Sequence, residues 1–274
     1  MTDSTPDAYG VIGHPVRHSR SPFIHGLFAR QTAQHMVYRL HDIVPDLFAT
    51  YVGKFFAEGG LGLNVTVPHK PAAVQLADAL TPRAQRAGAV NTLAMQAGQI
   101  LGDNTDGVGL IRDLCDNQMV VVANRRLLIL GAGGATRGIL EPLLQMEPEE
   151  IMIANRTVER AHGLAAAFTD LGKVRACGFS ELPRRPYDAI INATSAGLFG
   201  EAPDLSSRII DGGTVCYDLS YSKDTTPFLD WCQSQGAGKC IAGLGMLVEQ
   251  AAESFFLWRG VRPDTAPVLA ALGA

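Results

Sequence analysis

Hydrophobic and polar positions change their period repeatedly along the chain, and the changes outline its elements. Short apolar runs bounded by Gly, Pro or acidic residues at 9–13, 37–43 and 61–67 predict strands. Between them the apolar spacing lengthens. Residues 22–34 predict a helix with Ser21 as N-cap and Pro22 at its first position. Residues 45–58, with Leu47, Phe48, Tyr51, Val52 and Phe55 recurring at helical spacing, predict another, and 69–80 a third. Residues 89–95 and 99–102 read as a hairpin around Ala97-Gly98, and 106–116 as a linking helix. A second series starts near Arg126. Strands are expected at 127–130, 151–155, 189–193, 215–219 and 240–243, with helices at 157–168 and 246–258. Arg184, Arg185 and Pro186 mark a loop.

Strands that alternate with helices favour parallel sheets covered on both faces. Two such series predict an α/β protein of two domains with a cleft between them. The chain's 274 residues are enough for each domain to bury a core.

Composition narrows the function classes. Apolar residues at 47% and charged residues at 18% exclude a disordered chain, and a net charge of −4 argues against a nucleic-acid partner. The five cysteines are odd in number and irregularly spaced, without C-x-x-C, as expected of reduced thiols. There is no H-E-x-x-H, so no metal is expected. No run of 18 apolar residues occurs, so no membrane span is expected, and the polar start MTDSTPDAYG is unlike a signal peptide. The expected location is the cytoplasm.

The sharpest motif is LLILGAGGATRG, residues 127–138. A strand runs into Gly131, Ala132, Gly133, Gly134 and Ala135 and then into a helix. Gly131 permits the tight turn, and Gly133 lets the backbone approach a pyrophosphate, whose charge a helix N-terminus favours. Thr136 stands where the third glycine of G-x-G-x-x-G belongs. Folds of this type that prefer NAD place a carboxylate at the end of the second strand to hold the ribose 2′-hydroxyl. Here that position reads Asn155-Arg156-Thr157. No carboxylate repels a 2′-phosphate, and Arg156, with Arg160 one helical turn on, suits binding one. The expected cofactor is NADP(H).

Four polar clusters sit where the N-terminal series turns. They are His18-Ser19-Arg20-Ser21-Pro22, Asn64-Val65-Thr66-Val67-Pro68-His69-Lys70, Gly88-Ala89-Val90-Asn91-Thr92 and Gly102-Asp103-Asn104-Thr105-Asp106-Gly107. They combine small hydroxyls and amides with one lysine, and such a set can bind a small polyol and move a proton. Each has a structural reading too: Ser21 and Asp106 as helix caps, Asn91 as a hairpin partner, Lys70 as a solvated helix start, Met246 as core.

These clusters, the glycine-rich turn, Asn155-Arg156-Thr157, the run from Asn192 to Gly197, Tyr217-Asp218-Leu219-Ser220-Tyr221 and the run from Gly243 to Gln250 together resemble the shikimate dehydrogenase family over nearly the whole chain. The resemblance implies NADPH-dependent reduction of 3-dehydroshikimate to shikimate, a step toward chorismate and the aromatic amino acids. It implies Lys70 and Asp106 as the catalytic pair. Ser19 and Ser21 would hold the substrate carboxylate with Tyr221 beside it, and Thr66, Asn91, Gln250, Lys70 and Asp106 would meet the ring hydroxyls. Gly131, Ala132, Gly133, Gly134 and Ala135 would cradle the pyrophosphate. Asn155, Arg156, Thr157 and Arg160 would surround the adenosine ribose and its phosphate, and Leu219, Gly243 and Met246 would line the nicotinamide. The implied organisation is a substrate-binding domain at 1–106, completed by C-terminal helices at 243–274, and a Rossmann-like domain at 107–242. Relatives include monomers and homodimers.

Three positions depart from the family pattern: His14 replaces an asparagine, Pro82 an acidic residue near the cofactor, and Ser220 an aromatic. The rival readings are a quinate/shikimate dehydrogenase with relaxed choice of substrate or cofactor, and a non-catalytic NADP(H)-binding sensor on the same fold. A sensor needs neither Lys70 nor Asp106.

Overall fold

The computed structural model describes residues 5–194, 205–222 and 224–273. They form a mixed α/β structure with two six-stranded sheets. The chain divides into two compact units, residues 1–109 with 247–274, and residues 110–246.

In the first unit, β1 (Asp7–Gly13), α1 (Ser21–Gln31), β2 (Met36–Asp42), α2 (Phe48–Ala57) and β3 (Gly60–Val65) alternate as the apolar pattern predicts. A short α3 (Lys70–Ala73), β4 (Ala79–Leu80), α4 (Pro82–Ala87), β5 (Thr92–Gln96), β6 (Gln99–Asp103) and α5 (Asp106–Ile111) follow. The sheet order is β2-β1-β3-β5-β6-β4, parallel for β2-β1-β3 and antiparallel through the β5-β6 hairpin. Ile12, Leu63, Val65 and Leu93 on the sheet pack against Phe48, Val52 and Phe56 of α2.

The second unit carries β7 (Arg126–Leu130), α6 (Gly134–Gln145), β8 (Glu150–Ala154), α7 (Val158–Ala166), β9 (Val174–Cys177), β10 (Ala189–Asn192), β11 (Val215–Asp218), α8 (Pro227–Ser234) and β12 (Lys239–Ala242). Every pairing among the described residues is parallel, in the order β12-β11-β10-β7-β8-β9. This is the doubly wound dinucleotide-binding order, with its reversal between β7 and β10. Both faces of the sheet are buried, which explains the unbroken apolar runs. Leu127, Ile129, Ile151, Ile153 and Ile191 point into one core, and Leu128, Leu130, Met152 and Ile190 into the other.

The chain then enters α9 (Leu244–Arg259) and α10 (Ala266–Leu272). Val248, Ala251, Ala252 and Phe255, at i, i+3, i+4 and i+7, bury against Ile24 and Phe28 of α1. The C-terminal end of the chain therefore completes the first unit's core.

Several elements differ from expectation. The helix expected at 69–80 stops at Ala73 and gives way to β4, because Asp78 and Thr81 donate backbone hydrogen bonds to Ile100 and Gly102. Pairing with β6 overrides helix propensity there. Ser21 is the first helical residue and not the cap; Ser19 Oγ accepts from its backbone N–H at 3.3 Å. The linking helix at 106–116 loosens into a π turn at Arg112–Asn117. Three further elements were not foreseen: α4, β9 and α8. Two of them have clear signals. Thr81 and Thr226 each precede a proline and cap the helix that follows, so Pro82, a departure from the family pattern, starts α4.

His25 of α1 is fully buried, stacked on Tyr38 with ring centroids 4.1 Å apart, and burial pushes its pKa down to about 3. The folded state thus resists a proton that the unfolded chain accepts below about pH 6.5. Stability should fall as pH drops from 7, by about 2 kcal/mol at pH 5 from this group alone. In urea melts at the two pH values, His25→Phe should lose that much less than the parent. An unchanged pH dependence would remove His25 as the cause.

Candidate active site

In the first unit the polar clusters meet at the ends of β3, β5 and β6. After β3 the chain turns through Thr66 and His69. His69 stacks on Phe48 at 4.4 Å and its Nε2 lies 2.8 Å from the Ile43 carbonyl, which fixes the approach to Lys70. The Lys70 carbonyl accepts from Val90 N–H at 3.1 Å, tying α3 to the segment that carries Asn91 into β5.

Lys70 Nζ donates to Asp106 Oδ2 at 2.5 Å, with only 15% and 7% of the two side chains exposed. Ions so nearly buried are sustained only if their remaining hydrogen-bonding capacity is met. Asn91 Nδ2 donates to Asp106 Oδ1 at 2.8 Å, so the second carboxylate oxygen is engaged. Asn91 Oδ1 accepts from Thr105 N–H at 2.9 Å and from the Thr92 hydroxyl at 2.8 Å. Gln250 of α9 reaches the same group, its Oε1 accepting from the Thr105 hydroxyl at 3.3 Å. Asn91 is 2% exposed, and its amide orients the pair instead of capping a hairpin.

A second layer holds Asp106 from behind. Asp106 N–H donates to Asn104 Oδ1 at 3.1 Å, and Asn104 N–H donates to Asp103 Oδ1 at 2.7 Å. Arg83 grips Asp103 with two charge-assisted hydrogen bonds of 2.7 and 2.5 Å, and the Thr81 hydroxyl adds a third at 2.6 Å. Burial pushes the Asp103 carboxyl up, but Arg83's hydrogen bonds and charge outweigh it and hold the group below its ordinary value. Asn64 is also buried; its amide donates to Ser254 and Thr92 while its oxygen accepts from Tyr38.

Of the other expected substrate residues, Ser19 donates to Ser21 at 3.1 Å, placing two hydroxyls side by side at the start of α1. Thr66 is half-buried at the end of β3, and Tyr221 belongs to the second unit. The sequence reading missed Arg83, Asp103, Asn104, Thr105, Asn64 and Ser254. Most lie inside the polar clusters already singled out, and only the fold shows that they support the pair.

In the second unit Gly131 has φ +103°, and a Cβ there would press on the Ala193 carbonyl at 3.1 Å, so glycine is required. Gly133 faces open space, with no atom within 4 Å of where a Cβ would stand. Ala132, Gly134 and Ala135 complete a partly exposed turn at the N-terminus of α6. Thr136 is buried, and its hydroxyl donates to the Gly131 carbonyl at 2.9 Å, so the residue that breaks the glycine fingerprint tightens the turn.

At the end of β8, Asn155 donates to the Thr157 carbonyl at 2.8 Å, and Arg156 and Arg160 are exposed. Thr157 stands at the N-cap of α7 without a side-chain capping bond. Gly243 N–H donates to the Ser220 carbonyl at 3.0 Å, and a Cβ on Gly243 would strike the Leu219 carbonyl, so Leu219 and Gly243 are held together. Met246 packs into the core against Leu219. Asn192 and Thr194 bracket the switch-point turn, while Ser195, Ala196 and Gly197 lie outside the described residues.

A parallel doubly wound sheet with a glycine turn at its switch point, together with a separate unit that buries a lysine–aspartate pair, defines a two-unit Rossmann-type α/β protein. Family models agree: a shikimate dehydrogenase substrate binding domain matches residues 11–93, a shikimate/quinate 5-dehydrogenase model residues 113–203, and a shikimate 5'-dehydrogenase C-terminal domain residues 243–272. The chain is 55% identical to a shikimate dehydrogenase (NADP(+)) of Methylococcus capsulatus, over 98% of this chain and 97% of the relative. Among solved structures, an Ael1 enzyme from Pseudomonas putida is 44% identical with a TM-score of 0.90, covering 97% of this chain and 98% of the other. A shikimate 5-dehydrogenase from Thermus thermophilus, in complex with NADP(H) and shikimate, is 31% identical with a TM-score of 0.85 and the same coverage. The chain belongs to the shikimate dehydrogenase family.

Arg83→Ala would leave Asp103 buried without its cation. Such a change should cost about 3 kcal/mol or more, read as a lowered denaturation midpoint. An unchanged midpoint would show that Asp103 does not depend on Arg83.

Proposed function

We propose that this protein is an NADP(H)-dependent shikimate dehydrogenase that interconverts 3-dehydroshikimate and shikimate in the cytoplasm. The observation that carries the reading is the enclosed Lys70–Asp106 pair, held by Asn91 and flanked by Gln250. Reducing a ring ketone needs a donor where negative charge develops on oxygen, and a proton for that oxygen. The Lys70 ammonium supplies both. Asp106 aims it and accepts from the adjacent ring hydroxyl, while Asn91, Thr66 and Gln250 hold the remaining hydroxyls. The hydroxyls of Ser19 and Ser21, with Tyr221, receive the substrate carboxylate.

NADP(H) fits the second unit on three counts. A glycine-rich turn opens a helix, Gly133 leaves room for a phosphate to approach, and two exposed arginines follow a strand end that lacks a carboxylate. When bound, the cofactor supplies the hydride. The chain's part is to hold it. Gly131, Ala132, Gly133, Gly134 and Ala135 meet the pyrophosphate, and Asn155, Arg156, Thr157 and Arg160 meet the ribose and its 2′-phosphate. Leu219, Gly243 and Met246 meet the nicotinamide. Residues 1–106 with 243–274 then serve as the substrate domain and 107–242 as the cofactor domain.

Given 3-dehydroshikimate and NADPH, the purified protein should consume absorbance at 340 nm. Lys70→Ala should lower kcat by about 10² to 10⁴ with NADPH affinity unchanged. Near-normal turnover would remove Lys70 from the mechanism. Arg156→Ala should weaken NADPH binding by about 10- to 100-fold and leave NADH binding unchanged. Equal loss for both cofactors would contradict a 2′-phosphate contact.

A further inference from the structure

The second unit carries a charge cluster that the proposed reaction does not use. Glu150 opens β8 and is 3% exposed, yet four cations converge on its carboxylate. Arg185 Nη2 donates to Oε1 at 2.8 Å, and Arg126 Nε lies 3.5 Å from the same oxygen. Lys173 Nζ is 3.2 Å and Arg175 Nε 3.8 Å from Oε2. Strand register produces the convergence. Arg126 pairs directly with Glu150 across β7 and β8, and Arg175 pairs with Met152 across β8 and β9. With a side-chain period of two, Arg126, Glu150, Lys173 and Arg175 share one face of the sheet, and Arg185 reaches it from the loop before β10.

One carboxylate is far outnumbered. Burial pushes Glu150 up, but Lys173 and the neighbouring arginines hold it below its ordinary value, so it carries its charge. A second acid at the cluster is Asp188, which accepts from Arg126 N–H and pairs with Arg125 at 3.3 Å. Five cations thus face two carboxylates among the described residues, leaving a surplus of three positive charges. Arg126 is spent internally: it stacks over Tyr187 at 5.1 Å and is largely buried. Lys173, Arg175 and Arg185 are each half exposed or more, so each side chain meets both Glu150 and solvent.

The cluster lies at the amino-terminal edge of an all-parallel sheet. The glycine turn after β7 and Asn155 after β8 lie at the carboxyl-terminal edge, about 15 Å away by strand rise. The phosphates of a cofactor bound there cannot reach these cations. Guanidinium forks and an ammonium that converge on one point match a compact oxyanion of multiple charge. We propose that Lys173, Arg175 and Arg185 form a second anion site, distinct from the cofactor site, for a small phosphate-bearing molecule with two or more negative charges. Glu150 organises the site by keeping the three cations together.

Calorimetric titration with inorganic pyrophosphate at fixed ionic strength tests the site, with and without saturating NADP⁺ to fill the glycine turn. A saturable event that persists with NADP⁺ present is expected, weakened about tenfold or more in the Lys173→Gln/Arg175→Gln variant. Both positions are exposed, and Arg126 and Arg185 remain beside Glu150, so the variant should stay folded, with a cooperative unfolding transition, and keep the parent's NADP⁺ affinity. Arg30→Gln/Lys54→Gln, which removes two charges from the first unit, should bind pyrophosphate as the parent does. The proposal is overturned if no saturable binding remains with NADP⁺ present, if the Lys173/Arg175 variant binds as the parent does, or if the two double variants weaken binding equally.

Discussion

The enclosure of the Lys70–Asp106 ion pair is the constraint on which the first unit's architecture rests. Two opposite charges with little exposure are sustainable only when held close and when their spare hydrogen-bonding groups are met. The chain meets that demand from five places: the turn after β3, the approach to β5, the end of β6, α4 through Arg83, and α9 through Gln250. This explains why the C-terminal helix returns to the first unit. Its apolar face, Val248 to Phe255, fills the core over α1, and Gln250 and Ser254, on the same helix, enter the polar network. One helix therefore carries both packing and site chemistry.

The second unit answers a different constraint. An all-parallel sheet must bury both faces, and its strand ends are where loops are free to vary. Gly131 must adopt a left-handed conformation against the Ala193 carbonyl, and Thr136 pins the turn by its buried hydroxyl. Backbone N–H groups are thereby presented at one edge of the sheet. At the other edge the same alternation of side chains gathers cations around Glu150. A single rule of strand geometry produces both features.

Much of this was legible in the sequence. The parallel strands of the second unit are continuous apolar runs, and the glycine turn, Asn155-Arg156-Thr157, Lys70 and Asp106 stand in local motifs whose residue types match their chemistry. What escaped depends on distant pairing. Residues 78–81 have helical character, yet hydrogen bonds to Ile100 and Gly102 draw them into a strand. Nothing in the sequence singled out Arg83, and only the spatial return of Asp103 shows that it neutralises a buried carboxylate. Likewise, nothing local tells that Asn64 is held by Tyr38 and Ser254, 26 residues before it and 190 after. Ser19 and Ser21 are close enough in sequence to suggest a shared role, but Ser21, expected as the cap of α1, is its first helical residue, and the backbone places Arg20 at the N-cap.

The central claim is that this site and this cofactor edge serve one reaction, the NADP(H)-linked interconversion of shikimate and 3-dehydroshikimate. The most direct measurement is kcat/KM by absorbance at 340 nm for shikimate and for quinate, each with NADP⁺ and with NAD⁺. A clear preference for shikimate with NADP⁺ over the other three combinations is the expected result. Preference for quinate or NAD⁺ would contradict the substrate or cofactor assignment while leaving the fold intact. No turnover with any combination, from folded protein that binds NADPH, would contradict the assignment of Lys70 and Asp106 as a catalytic pair.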